Sequence, residues 1–423
     1  MPKLDSSLIA SWTGGRWLSA PPASLRGVSI DTRSLHPGDL FVAISGARFD
    51  GHDFIAQAFA QQAAAAVVER DAVSSCSGPI LRVDHTLQAL QDMAAAYRQA
   101  HKAQIIAVTG SLGKTTVKEM VADTLAMRLS TARTCGNLNN HLGVPLSLLN
   151  MEGSAQVGVF EAGTSQAGEL APLCRILAPD WGLITTLAPA HLEFFGSLEE
   201  IAAEKATLLS SLSAAGTAVL RGDDPCYERL RAAVSGRVIT IAVRGPADYQ
   251  GWPARVWGGP VEVLERSSEQ RCQLQLPLPG EHQVVNALYA VAVGRSYGLS
   301  WDEIRSALEN YRPPPMRWEC RQQAGITIIN DAYNANPESM AAALRTFAAM
   351  PVRGRRWLVL ADMRELGALA AEAHAKLGQL AAQMSCEGLL VLGEWSEIIK
   401  QAAMQAGLDA RRIFRCPDHA AAA

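Results

Sequence analysis

The sequence predicts a multidomain α/β protein. Short apolar runs alternate with helix-compatible stretches, the pattern of right-handed βαβ units on a parallel sheet. One run, residues 104–108, opens into the glycine-containing loop TGSLGKTT, and a helix-compatible stretch, 115–128, follows it. Three consecutive prolines in RPPPMRW, residues 312–318, forbid a helix interior and mark a linker.

Before the loop, VSIDTRSLHPGDLFVAI mixes apolar pairs with turn residues. Gly38-Asp39 predicts a turn ahead of a strand at 40–44. Residues 54–66 read as an Ala-rich helix, and 66–68 as the next strand. After the loop, 157–160 and 182–185 are buried-strand candidates with helical patterns between them. Beyond the linker, 327–329, 356–360 and 388–392 read as strands of a smaller α/β unit. Three units are expected, at 1–100, 101–312 and 313–423.

Bulk composition excludes several classes. Of the 423 residues, 48% are hydrophobic and 19% charged, enough to build packed cores rather than a disordered chain. A formal net charge of -3 argues against a protein that coats nucleic acid. The eight cysteines form no CxxC pair and read as thiols of a reducing compartment. The start, MPKLDSSLIASW, lacks a basic then apolar pattern, and no apolar run approaches the ~20 residues of a membrane helix. A cytoplasmic location without membrane insertion is expected.

The loop Thr109-Gly110-Ser111-Leu112-Gly113-Lys114-Thr115-Thr116 carries the chemistry. Glycine lets the backbone curl so that N–H groups face a phosphate, and the next helix points its positive end at the same anion. Lys114 can reach the β and γ phosphates of ATP, and the Thr115 hydroxyl can bind Mg²⁺. Ala107 stands where the longer phosphate-loop pattern has its first glycine, so the match is to a GxxGKT core. A turn with a surface lysine is the alternative, and the flanking strand and helix weigh against it. Glu161, at the end of the 157–160 run, is a second candidate for Mg²⁺, because ligands gather at the carboxyl ends of parallel strands.

With these residues in hand, the chain resembles the Mur ligase family. The likeness runs through DTR, DGHDF, TGSLGKTT, NLNNHLGVPLSLL, FEAGTSQAGEL, AHLEFFGS, the region of Asn286 and DAYNANPESM. DAYNANP is the element expected of the branch that adds D-alanyl-D-alanine to UDP-MurNAc-tripeptide. The resemblance implies a UDP-sugar-binding N-terminal domain, a central P-loop ATPase with a parallel sheet, and a C-terminal Rossmann-like domain. It implies ATP and Mg²⁺ as cofactors, an acyl-phosphate intermediate and an ADP-forming ligation in peptidoglycan synthesis. A monomer is expected.

The resemblance also assigns residues. His191 would hold a second Mg²⁺, together with Lys205 if that lysine is carbamylated. Asn139, Asn140 and His141 would lie near tripeptide and phosphates, and His282 and Asn286 near adenine or ribose. The spacing of the last two also puts them on one helix face. Arg317, Asp331, Tyr333 and Asn334 would reach the nucleotide from the third unit, Arg317 as a phosphate clamp. Ser29, Asp31, Thr32, Arg33 and His52 would lie near the uridine diphosphate, although DTRS is equally explained as turn chemistry.

Three departures stand out. Thr185-Thr186 replaces a Thr-Asn element, and Ala361-Asp362-Met363 replaces Gly-Asp-Met. The sequence stops at Ala423, roughly thirty residues earlier than the family expectation, and the strand and Lys-Gly-Ser-Arg-like element with which members usually continue do not follow Arg415, so the third unit is expected to lack an edge strand and a helix. Two readings compete with the main one. One is another amino-acid-adding branch, which should carry Asp-Asn-Pro-Arg; that motif is absent here. The other is a nucleotide-binding relative with impaired catalysis.

Overall fold

The computed structural model describes residues 4–69, 78–189 and 192–422. The central sheet has nine strands. In spatial order they are Gln270–Leu274, Val261–Glu265, Tyr249–Trp252, Arg237–Ala242, Thr217–Arg221, Trp181–Ile184, Gln104–Thr109, Val157–Glu161 and Thr131–Arg133. From Tyr249–Trp252 to Thr131–Arg133 every pairing is parallel; the hairpin 261–274 closes the far edge antiparallel.

Gln104–Thr109 is the first strand of this sheet in the chain, yet it lies in the interior. It pairs with Val157–Glu161 on one side and Trp181–Ile184 on the other. The chain order reverses there, and such a switch point opens a crevice at the carboxyl ends of the strands. Ile105, Ile106, Ala107 and Val108 are all fully buried. Each large aliphatic side chain removed from water contributes about 1.5–3 kcal/mol, so the strand below the loop is firmly anchored.

The N-terminal sheet has five strands, ordered Arg16–Trp17, Ile80–Arg82, Ala65–Val68, Leu40–Val42 and Val28–Ser29. The Thr86–Ala100 helix ties it to the central unit: Tyr97 Oη donates to Met151 O at 2.9 Å, and Arg98 pairs with Asp180 at 2.9 Å. Asn150 bonds both the N–H and the C=O of Val28, each at 2.9 Å.

Helix 54–66 is a correction. A 3-10 turn at Gly51–Phe54 leads into a helix that ends at Ala60, and the strand starts at Ala65. Gln62 adopts φ 67, a left-handed conformation that stops the helix; the alanine-rich composition had hidden this break.

Beyond the linker, Trp357–Leu360, Gly388–Leu392 and Ile413–Cys416 form a three-stranded parallel sheet with its own core. The strand read at 327–329 is Ile326–Asn330. Among the described residues it pairs with Glu319–Gln323 in an antiparallel ribbon and not with the parallel sheet. Ile326, Ile328, Trp357 and Val359 are exposed along these strands. Among the described residues, seven cysteines are free thiols, and no helix is long and apolar enough to cross a membrane.

Candidate active site

A cavity of about 1010 Å³ opens at the switch point. Its walls come from three parts of the chain: Leu87 and Gln91 before the central sheet, Ser111–Thr116 and Glu161 on it, and Arg317, Asp331 and Tyr333 from the end of the linker onward.

The loop is held from below by the neighbouring strand. Thr185 N–H donates to Thr109 O at 2.8 Å. The N–H groups of Ser111 and Leu112 both donate to Thr186 O, at 3.1 and 3.0 Å. Those two donors are therefore committed to the protein. The first turn of Lys114–Ala126 differs, since its leading N–H groups have no intrahelical acceptor and such a helix start suits an anion. Gly110 has φ +143 and Gly113 φ +82. A Cβ on Gly110 would overlap Thr185 Oγ1, and one on Gly113 would meet Asn286 Oδ1 at 2.7 Å. Both glycines are thus required for backbone shape and for close approach.

Thr186 stands at the departure from Thr-Asn. Its hydroxyl accepts from Arg221 Nη1 at 3.1 Å, and Arg221 is fixed by Asp223 at 3.0 Å. The side chain locks the residue whose carbonyl shapes the loop.

Thr115 Oγ1 donates to Glu161 Oε2 at 2.8 Å, and Asn139 Nδ2 donates to Glu161 Oε1 at 2.8 Å. Glu161 N–H donates to Thr134 Oγ1 at 3.0 Å. Arg317 Nη2 donates to Thr115 Oγ1 at 3.2 Å, and its guanidinium lies 4.2 Å from the Tyr333 ring centroid. A chain of contacts therefore runs from the central sheet across the linker. Lys114 Nζ curls back to Gly110 O and Ser111 O, at 2.9 and 3.2 Å. Burial lowers its pKa below the usual lysine value of 10.5, against the pull of Glu161.

Lys205 is 3% exposed and donates to Thr164 Oγ1. Burial, reinforced by the charge of Lys114, pushes its ammonium down to about 7. A neutral amine is therefore available near physiological pH. Thr164 was not singled out in the sequence; only its place within FEAGTSQAGEL could have flagged it. Asp331 Oδ1 accepts from Trp318 N–H at 2.9 Å. Its surface is open to the cavity, yet surrounding protein desolvates it enough to raise its pKa despite nearby Arg317.

His282 and Asn286 both line the cavity from the Glu281–Ser296 helix. Tyr289, fully buried on that helix, donates to Ile184 O and pins it to the carboxyl end of the sheet. Burial pushes the His282 imidazolium down to about 4, so the ring is neutral at pH 7. Asn334 and His141 also line the cavity. Asn140 lines it too, while its Oδ1 caps backbone N–H groups of Leu142 and Gly143. His191 lies outside the described residues.

Ser29, Asp31, Thr32, Arg33 and His52 do not line this cavity, nor a neighbouring one of about 360 Å³ between Ile44 and Gln91. Asp31 accepts from Arg33 N–H at 2.9 Å and pairs with its guanidinium at 2.6 Å, the turn chemistry that DTRS allowed. His52 uses both ring nitrogens: Nδ1 donates to Asp50 at 2.7 Å, and Nε2 accepts from Glu69 N–H at 3.1 Å.

Three family models match along the chain: the Mur ligase family catalytic domain at 24–98, the Mur ligase middle domain at 108–294, and the Mur ligase glutamate ligase domain at 316–423. The UDP-N-acetylmuramoyl-tripeptide--D-alanyl-D-alanine ligase of Escherichia coli K12 is 37% identical over 91% of this chain and 85% of its own length. This chain belongs to the Mur ligase family. The ligase of the same name from Bacillus subtilis is 34% identical over 90% of this chain and 83% of its own length. Among solved structures, MurF from Acinetobacter baumannii matches with TM-score 0.87 and 29% identity, covering 97% of this chain and 89% of its own. MurF from Thermotoga maritima in complex with ADP matches with TM-score 0.80 and 28% identity, covering 93% and 88%. The family's α/β architecture is thus present, with the P-loop at the crevice of its central sheet.

Proposed function

We propose that this chain ligates D-alanyl-D-alanine to UDP-MurNAc-tripeptide, with hydrolysis of ATP to ADP, in the cytoplasmic stage of peptidoglycan synthesis. The observation that carries the reading is the single cavity holding the loop, Glu161 and the residues beyond the linker. At about 1010 Å³ it has room for a nucleotide beside a second substrate.

A carboxylate oxygen of the tripeptide attacks the γ-phosphorus in line, giving an acyl phosphate and ADP. Lys114 and the N-terminus of its helix offset the charge that accumulates on the phosphoryl oxygens. The amine of D-alanyl-D-alanine then attacks the carbonyl carbon. Phosphate leaves, the nitrogen loses a proton, and an amide remains. Asp331 faces the cavity where it can hold that proton or the ribose. Arg317 clamps phosphate with its fork of donors. His282 and Asn286 take the nucleoside end. Asn139, Asn140 and His141 take the peptide side.

Thr115 and Glu161 bring hard oxygen donors within 2.8 Å of each other beside the loop, a set that suits Mg²⁺. Bound there, the ion would supply charge neutralisation to the phosphates. Lys205, as its carbamate, and His191 are the proposed holders of a second ion; the neutral amine of Lys205 is the form that adds carbon dioxide.

The units 1–100, 101–312 and 313–423 are assigned to UDP-sugar binding, ATP binding and closure over the nucleotide. Closure would exclude water, which otherwise hydrolyses the acyl phosphate. The test is phosphate release by the purified chain with ATP, Mg²⁺ and UDP-MurNAc-tripeptide. Release that depends on D-alanyl-D-alanine and yields the pentapeptide is expected. Its absence, or equal release with another amino acid, sinks the reading.

A further inference from the structure

The short helix Leu170–Leu177 places Pro172, Leu173 and Arg175 on the cavity wall, facing Leu87 and Gln91 of the Thr86–Ala100 helix. Arg175 is exposed to the cavity, and among the described residues no hydrogen bond or ion pair engages its guanidinium. The other cavity charges are tied. Arg317 is bonded to Thr115 and stacked on Tyr333. Lys114 bonds the loop carbonyls. Glu169, which also lines this region, accepts from Ser165 and Gln166 N–H at 2.7 and 3.1 Å. Asp331 accepts from Trp318 N–H at 2.9 Å, and Glu161 accepts from Thr115 and Asn139.

An arginine in the last turn of a helix is ordinarily explained by the helix dipole. That explanation is already satisfied by another residue. Arg98 donates to Leu177 O at 2.8 Å and to Ala178 O at 2.9 Å, covering the carbonyl end of this same helix. Arg175 is left as a planar, permanently charged donor fork aimed at a space lined by committed acids. Such a fork suits bidentate recognition of a carboxylate or phosphate.

We infer that Arg175 binds an anionic group of the sugar-nucleotide peptide, on the opposite side of the cavity from the nucleoside end at His282. This rests on the ligase reading above. The anion is either the diphosphate of the nucleotide or a carboxylate of the peptide, and the substrates chosen for the test separate the two.

The experiment is steady-state kinetics of Arg175→Gln and Arg175→Lys. Substrates are UDP-MurNAc-tripeptide with diaminopimelate at the third position, the same with lysine, and MurNAc-tripeptide lacking the UDP. Arg175→Gln should raise KM for UDP-MurNAc-tripeptide about ten- to a hundredfold, the usual range for a charged hydrogen bond. Arg175→Lys should recover part of that loss. The kcat should stay within about twofold, and KM for ATP should not move. A penalty that vanishes with the lysine peptide assigns the diaminopimelate carboxylate; one that vanishes without UDP assigns the diphosphate; one that persists in both assigns another peptide carboxylate. An unchanged KM on all three substrates overturns the inference, as does a parallel rise in KM for ATP. Wild-type chain that releases no phosphate with D-alanyl-D-alanine overturns the functional reading instead, a separate outcome.

Discussion

Glu161 and Arg317 converge on one hydroxyl, Thr115 Oγ1, from two regions built very differently. Glu161 is 2% exposed at the end of a fully buried strand, with its backbone N–H and both carboxylate oxygens engaged. Arg317 follows a proline linker and precedes a ribbon whose residues are mostly exposed. Its tie to the central unit is a hydrogen bond of 3.2 Å to Thr115, while its stacking partner, Tyr333, belongs to its own side of the linker. Packing fixes the first residue before any ligand arrives. The second is held by few contacts, as the proposed closure over the nucleotide would require.

That contrast can be broken most severely at the loop. Lys114→Ala should lower D-alanyl-D-alanine-dependent phosphate release by about 10²–10³-fold, the usual cost of deleting one aimed charge donor. Full activity in this variant would remove the central unit's part in the mechanism. Gly110→Ala tests rigidity without touching charge. The new Cβ overlaps Thr185 Oγ1 at a positive φ, so unfolding by denaturant should show a loss of about 1–3 kcal/mol, and ADP affinity should fall with it.

Arg317→Lys probes the less packed side. It keeps the charge but loses the fork and the stacking on Tyr333, so kcat/KM for ATP should drop about tenfold while the unfolding midpoint holds. An equal loss of stability would show that the two regions are one rigid body.

Asp331 gives a smaller, pH-dependent effect. Its folded pKa is raised by burial, so the folded state favours the protonated form. Its stabilising contribution is full below the unfolded pKa and fades as pH rises through the folded one. Asp331→Asn should therefore gain stability relative to wild type as pH increases, while turnover falls; denaturation series across acid and neutral pH read the first, phosphate release the second. The smallest effect is at Arg33, whose guanidinium is exposed and paired within its own turn. Arg33→Gln should leave the unfolding midpoint unchanged. A rise in KM for the sugar nucleotide would place the diphosphate at that turn rather than at Arg175.

Residues whose role is local were legible in the chain. Gly110, Gly113, Lys114 and Thr115 act through a turn and a helix start that adjacent residues encode. Glu161 was readable because a strand ends there. That His282 and Asn286 share a helix face was readable from their spacing. Lys205 was named from resemblance, but its burial and its bond to Thr164 depend on a helix packing over a distant strand. Asn286 abutting Gly113 and Thr186 holding two loop N–H groups were not legible, because each joins segments far apart in sequence. The early stop of the helix at Ala60 was missed because alanine is at home in the helix, the turn and the strand that follow one another there.

The sequence by itself determined the α/β class and the strand–loop–helix unit around residues 104–128, since periodicity and turn chemistry act over a few residues. Tertiary structure alone decided which loop N–H groups are already bonded, how far burial lowers the Lys205 ammonium, and which cavity arginine, among the described residues, is left without a partner. Those outcomes are set by desolvation and by competition among distant hydrogen-bonding groups, which exist only once the sheet has brought them together.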